Sequence, residues 1–249
     1  MAQSLLDRLL GPVPELALPR GLDPDRRASW ILWSASVLMV LLLFRGGFGS
    51  LSDLNPAWSD LHETSFYGRM YWVAWGFFSY LLVPAAIVLF VFRESPARYG
   101  LRIHFTRKMA LLYVALFAIM VPCLYWASLS PSFVMRYPLV TDLDGDATRI
   151  WVWEIARALR FICLEFFFRG FLLFGLEARF GYHAIAVAAL PYGVIHYAKP
   201  FPEALGAVLA GAVLGLFALR SRSIAGGALV HIAVATAMDL LALYRKGQL

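Results

Sequence analysis

The stretch Phe161–Phe174 reads FICLEFFFRGFLLF, apolar or aromatic almost throughout but interrupted by Glu165 and, four positions on, by Arg169. With its flanks it makes an apolar run over Ile150–Leu176, long enough at about 1.5 Å per residue to cross the roughly 30 Å hydrocarbon layer as a helix. A charged side chain at the centre of such a helix costs about 2.5–3.5 kcal/mol even on a lenient insertion scale, so a charge that persists there is paired, hydrated or functional. Neighbouring residues stand about 100° apart around a helix axis and residues i and i+4 only about 40° apart, so Glu165 leans towards Arg169. A carboxylate beside a guanidinium keeps both charges tolerable in low dielectric.

The rest of the chain has the same character. Its 249 residues are 61% hydrophobic, 15% aromatic and 15% charged, with a mean hydropathy of +0.68; soluble domains carry roughly 25% charged residues. Apolar spans near Trp30–Phe44, Met70–Phe92, Met109–Ala127, Ile150–Leu176, Ala184–Tyr197, Ala204–Leu219 and Ile224–Tyr244 predict about seven crossings, with six to eight open. The expected fold class is all-α, a polytopic membrane helical bundle. Residues 1–27 read as an N-terminal cytoplasmic or interfacial segment and 28–249 as a single transmembrane helical domain, with no repeat of about 20–50 residues. Ser4–Arg20 alternates Leu pairs with Asp7, Arg8 and Glu15 and is broken by Pro12 and Pro14, which suits a short interfacial helix better than a signal peptide or a span.

Orientation follows from Lys and Arg near the span ends. Arg20, Arg26 and Arg27 precede the first span, Arg93, Arg98, Arg102, Arg107 and Lys108 fill the second connection, and Arg220 and Arg222 the sixth; the positive-inside rule makes these cytoplasmic and puts the N-terminus inside. The segments Gly46–Tyr67 and Ser130–Ala147, with Asp53, Asp60, Glu63, Asp142, Asp144 and Asp146, fall outside. The net charge of +6 then belongs to loops that touch anionic headgroups. No basic stretch is interleaved with aromatics, so no nucleic-acid partner is expected.

Several features read as structural. Cys123 and Cys163 lie in different spans, where cysteine acts as a small apolar residue. Ala207, Gly211 and Gly215 repeat every fourth residue, a spacing that lets membrane helices approach closely, and Gly226 and Gly227 precede His231 in the same sense. Trp30, Trp33, Trp72, Tyr125, Trp126, Trp151 and Trp153 fall near span ends, as in interfacial belts. Arg157 and Arg160, near the entrance of the Ile150–Leu176 helix, read as side chains snorkelling to the interface, and Glu154 falls within about 20° of Glu165 around the axis.

Two more ionisable residues stand inside apolar stretches, His196 and His231. His196 follows Pro191, whose kink frees backbone carbonyls that an imidazole can cap. Glu165 and His196 are about equally far from the Arg179–His183 turn, which sets them at similar height, in the outer half of the bilayer by the orientation above.

Leu164-Glu165-Phe166-Phe167-Phe168-Arg169-Gly170 resembles the first motif, EExxxR followed by Gly, of the CAAX protease and bacteriocin-processing family of intramembrane proteases. Tyr192-Gly193-Val194-Ile195-His196 is similar to its second motif, FxxxH, and His231 stands where its last motif, HxxxN or HxxxD, begins. Tyr99-Gly100-Leu101-Arg102 is similar to an upstream Gly-Leu-Arg element, so the resemblance covers roughly residues 90–240. It implies a glutamic-type protease in a membrane such as the bacterial inner (plasma) membrane, acting without cofactor on a membrane-anchored or exported protein. In it a Glu and the second-motif His activate water, and the last-motif His and Asn stabilise the oxyanion. The implied catalytic residues are Glu165, His196 and His231, with Arg169 as orienter.

The chain departs from the pattern twice: the first Glu position is Leu164, and the position four after His231 is Ala235. Asp239, about 80° round and roughly 12 Å along the helix from His231, is a poor replacement. Alternatives therefore stay open. The chain is an intramembrane endopeptidase, or a non-catalytic binding scaffold, immunity factor or subunit of a membrane complex, or a transporter that uses its buried acids and His as a relay. Zinc on Glu165, His196 and His231 is a further alternative, although no tightly spaced ligand motif is present.

Overall fold

The computed structural model describes residues 23–47, 64–102, 106–143, 145–197 and 199–248. It is 82% helical, with eight helices and no strand among the described residues. Helix α1 (Pro24–Gly46) opens on a proline, whose missing N–H is one of the donors a helix start leaves unused, with Asp25 in its first turn. Helix α2 (Phe66–Val91) is capped by Ser65, whose hydroxyl accepts from the Gly68 N–H at 3.1 Å. It relaxes into wide i→i+5 turns at Phe78–Leu82, just before Pro84 removes a backbone donor.

Helices α3 (Arg107–Ala127) and α4 (Pro131–Arg136), α5 over 147–180, α6 (His183–Val194), α7 (Phe201–Ser221) and α8 (Ala225–Arg245) complete the chain. Within α5, Ala147–Glu165 is α-helical, Phe166–Phe174 winds in i→i+5 turns, and Gly175–Phe180 is α-helical again. Helices α1, α2, α3, α7 and α8 are long and apolar enough to cross a membrane, and α6 is a shorter apolar helix. Each of the seven apolar runs read from the sequence falls on a helix; the short α4 is an addition. Trp33, Phe90 and Trp126 are each about three-quarters exposed, as residues facing lipid would be, and the chain is an integral membrane protein.

The interfacial helix expected over Ser4–Arg20 lies outside the described residues, as do Asp53, Asp60, Glu63 and Asp144.

The chain divides into two compact units. One takes the residues up to Ala35 together with Pro84–Ala110 and Glu165–Gly227; the other takes Ser36–Val83, Leu111–Leu164 and Ala228–Leu249. The first unit is centred on Phe166–Leu176, every residue of which, Arg169 included, is buried. Against it packs the Tyr99–Arg102 element. A Cβ on Gly170 would stand 2.6 Å from the Tyr99 carbonyl oxygen, and Gly100, at φ +82°, lies so close to Phe174 and Ile224 that only glycine fits. The Gly100 carbonyl accepts from the Ile224 N–H at 3.1 Å, and the Ser223 hydroxyl donates to the Arg102 carbonyl at 2.6 Å. Tyr99 donates to Glu94 at 2.8 Å, and Glu94 is ion-paired with Arg27.

The second unit has a core of Leu124, Phe133, Tyr137, Met238 and Ala242, and another of Val140, Leu143 and Trp153. Asp142 accepts from the Phe66 N–H at 2.6 Å, tying the α4–α5 connection to the start of α2. Trp153 does not join an interfacial belt: it is fully buried, and its indole N–H donates to Asp239 at 2.8 Å.

Candidate active site

Glu165 ends the α-helical part of α5, and Arg169 lies within the wide turns that follow. Both are buried, at 0% and 2% exposure, and Arg169 Nη1 stands 3.0 Å from Glu165 Oε1. The i, i+4 pairing read from the sequence is therefore present, although the turns between the two residues are wider than the α-helical ones assumed there. The other carboxylate oxygen, Oε2, lies against the first turn of α8: a Cβ built on Gly227 would be 2.8 Å from it. A glycine there gives the carboxylate its place beside a helix N-terminus, where backbone N–H groups point outward.

The guanidinium of Arg169 sits over the ring of Tyr192, 4.3 Å from its centroid, and Phe168 meets the same ring edge-on at 5.2 Å. Tyr192 is in turn 4.7 Å from the imidazole of His196. The aromatic of the second motif thus lies between the arginine of the first motif and its own histidine. Phe168 and Arg169 of α5 thus stand opposite Tyr192 of α6.

His196 Nδ1 is 2.8 Å from the Tyr192 carbonyl oxygen. The backbone tightens here, the His196 N–H bonding to Gly193 at 3.0 Å, which leaves the Tyr192 carbonyl to the imidazole. A carbonyl only accepts, so Nδ1 carries a proton, and in the neutral ring the lone pair is on Nε2. The capping role open to a histidine after Pro191 is therefore filled, and it fixes the tautomer.

Packing by small residues holds α7 to this arrangement. A Cβ on Gly211 would stand 3.0 Å from Tyr192 Cδ1, and one on Gly215 3.3 Å from Ile185 Cγ2. A narrow cleft lies between α5, α6 and α7, bordered by Phe168, Arg169, Tyr192, Gly211 and Gly215.

His231 belongs to the second unit, where its ring stacks on Phe161 at 4.2 Å. Leu164 and Ala235, the two departures from the family motifs, also belong to that unit and are buried. Cys123 and Cys163 are both free thiols. Among the described residues no three His, Cys, Asp or Glu side chains come together as a set for a metal ion.

Arg157 and Arg160 do not snorkel, being 3% and 5% exposed. Arg160 lies over Trp72, 3.3 Å from the ring centroid, and fills the space above Gly76, where a Cβ would meet its Nε at 2.5 Å. Arg157 bridges two carboxylates, Glu154 at 2.6 Å and Asp239 at 2.8 Å. Each arginine found a partner inside the unit, which outweighs the pull of the headgroups.

Residues 146–237 match the family described as Type II CAAX prenyl endopeptidase Rce1-like. This is less than half of the chain's 249 residues, but it holds Glu165, Arg169, Tyr192, His196 and His231. The resemblance read from the motifs is thereby met by a match to a family of CAAX-type intramembrane proteases over the segment that carries them. No curated protein and no solved structure matches the chain.

Proposed function

We propose that this chain is a glutamic-type intramembrane endopeptidase that trims a membrane-associated or exported protein near its membrane anchor, in a bacterial plasma membrane and with its N-terminus cytoplasmic. The observation that carries this reading is the buried Glu165–Arg169 pair, joined through Tyr192 to His196, inside the segment that matches the protease family.

With the proton on Nδ1, His196 offers Nε2 as a base. Together with the Glu165 carboxylate it takes a proton from a water whose oxygen attacks the substrate carbonyl, and returns that proton to the leaving amine. Arg169 orients the carboxylate. His231 keeps the oxyanion-stabilising role that the resemblance gives it, without the Asn or Asp that Ala235 replaces. No cofactor enters this scheme.

A second reading is favoured by two observations. Glu165 has no exposed surface and is engaged by Arg169, and the positions that the motif resemblance gives to the first Glu and to the Asn hold the buried apolar Leu164 and Ala235. A membrane scaffold that binds a peptide without cutting it would look the same. The two readings separate in the length of the membrane proteins that co-purify with the chain. A protease yields truncated partners, full-length with His196→Ala; a scaffold yields full-length partners with both.

A further inference from the structure

The second unit holds a buried charge cluster that the proposed cleavage chemistry does not use. Glu154 and Arg157 come from α5, and Asp239 comes from α8, antiparallel to it. All three are at most 8% exposed. The Arg157 guanidinium bonds both carboxylates, at 2.6 and 2.8 Å; the Thr236 hydroxyl donates to Glu154 at 2.7 Å and the Trp153 indole to Asp239 Oδ2 at 2.8 Å. Asp239 Oδ1, fully buried, has no hydrogen-bond donor among the described residues. Its carboxylate stands beside that of Glu154, the two being held by the two Nη atoms of one guanidinium.

Two carboxylates and one guanidinium leave one negative charge uncompensated. Among the described residues, Lys246 lies beyond the end of α8 and is exposed, so water screens it, and Arg160, three residues beyond Arg157 on α5, is packed on the Trp72 ring instead. An unbalanced charge inside a membrane helix pair is costly, and two close carboxyl groups relieve it by sharing one proton.

We propose that Glu154 and Asp239 form a proton-binding site in the α5–α8 seam, one proton on Asp239 Oδ1 being donated to Glu154 while Arg157 neutralises the remaining charge. The site closes the hydrogen-bond gap at Oδ1 and leaves the cluster neutral. It is independent of whether the chain cleaves peptides.

The test uses the purified full chain in lipid nanodiscs, without sodium, and reads two quantities. One is the infrared band of a protonated carboxyl group at neutral pH; the other is the thermal midpoint as pH is raised. The wild type is expected to show the band, and its midpoint to fall with rising pH as the folded state loses a proton that the unfolded state does not hold. Glu154→Gln and Asp239→Asn each make the cluster neutral without a proton, so both should lose the band and flatten the slope. A wild type without the band, a band that survives in both variants, or a midpoint restored at high pH by sodium alone would overturn the proposal; the wild-type measurement decides even if a variant fails to fold.

Discussion

The guanidinium of Arg169 lies 4.3 Å over the ring of Tyr192, and through that contact the first motif is locked to the second. A desolvated cation–π contact contributes about 2 kcal/mol. Tyr192→Leu should lower stability by about that amount and free the His196 ring, whereas Tyr192→Phe keeps the ring face and is the milder change. Thermal unfolding of both variants in detergent checks the order.

Gly227→Ala places a Cβ 2.8 Å from Glu165 Oε2. The carboxylate is held by Arg169 and cannot simply swing away, so the substitution should cost about 1–3 kcal/mol, as overpacking does. Gly206→Ala is the control. Its Cβ would meet nothing within 4 Å, and an alanine in a helix should be neutral or stabilise by up to about 1 kcal/mol.

The Glu165–Arg169 pair should behave as a unit. Arg169→Met alone leaves a buried carboxylate without its cation and should cost about 3–5 kcal/mol, while adding Glu165→Gln should recover most of the loss. A double-mutant cycle on unfolding measures the coupling. Additive losses would show that the two charges do not depend on each other.

Burial holds the Tyr99 phenol well above the ordinary tyrosine range; Arg27 pulls it down and Glu94 pushes it up. Tyr99→Phe should cost about 0.5–1.5 kcal/mol at neutral pH through the lost bond to Glu94. Above about pH 10 an unfolded chain gives up this proton while the folded one keeps it, so the stability it contributes declines as pH rises through the folded value. Thermal midpoints of wild type and Tyr99→Phe should therefore converge in strong alkali.

The helices were legible because lipid leaves apolar runs in the sequence, and Glu165 with Arg169 was legible because its partner is four residues away. The Arg157 bridge was not: Asp239 is 82 positions further on, and nothing near Arg157 distinguishes a buried guanidinium from a snorkelling one. The burial of Trp153 has no local mark for the same reason, since its acceptor is also Asp239. The wide turns of Phe166–Phe174 have no mark in a run of aromatics and leucines. Gly170 was visible as a motif glycine, but its physical cause, the Tyr99 carbonyl 2.6 Å from where a Cβ would stand, depends on a residue 71 positions earlier.

The central claim is peptide cleavage dependent on Glu165 and His196. The most direct test compares, by mass spectrometry, the intact masses and C-termini of membrane and exported proteins in cells carrying the wild type, Glu165→Gln or His196→Ala at matched abundance. The account predicts at least one protein whose terminus is shortened with the wild type and full-length with either variant. Identical termini in all three would contradict it.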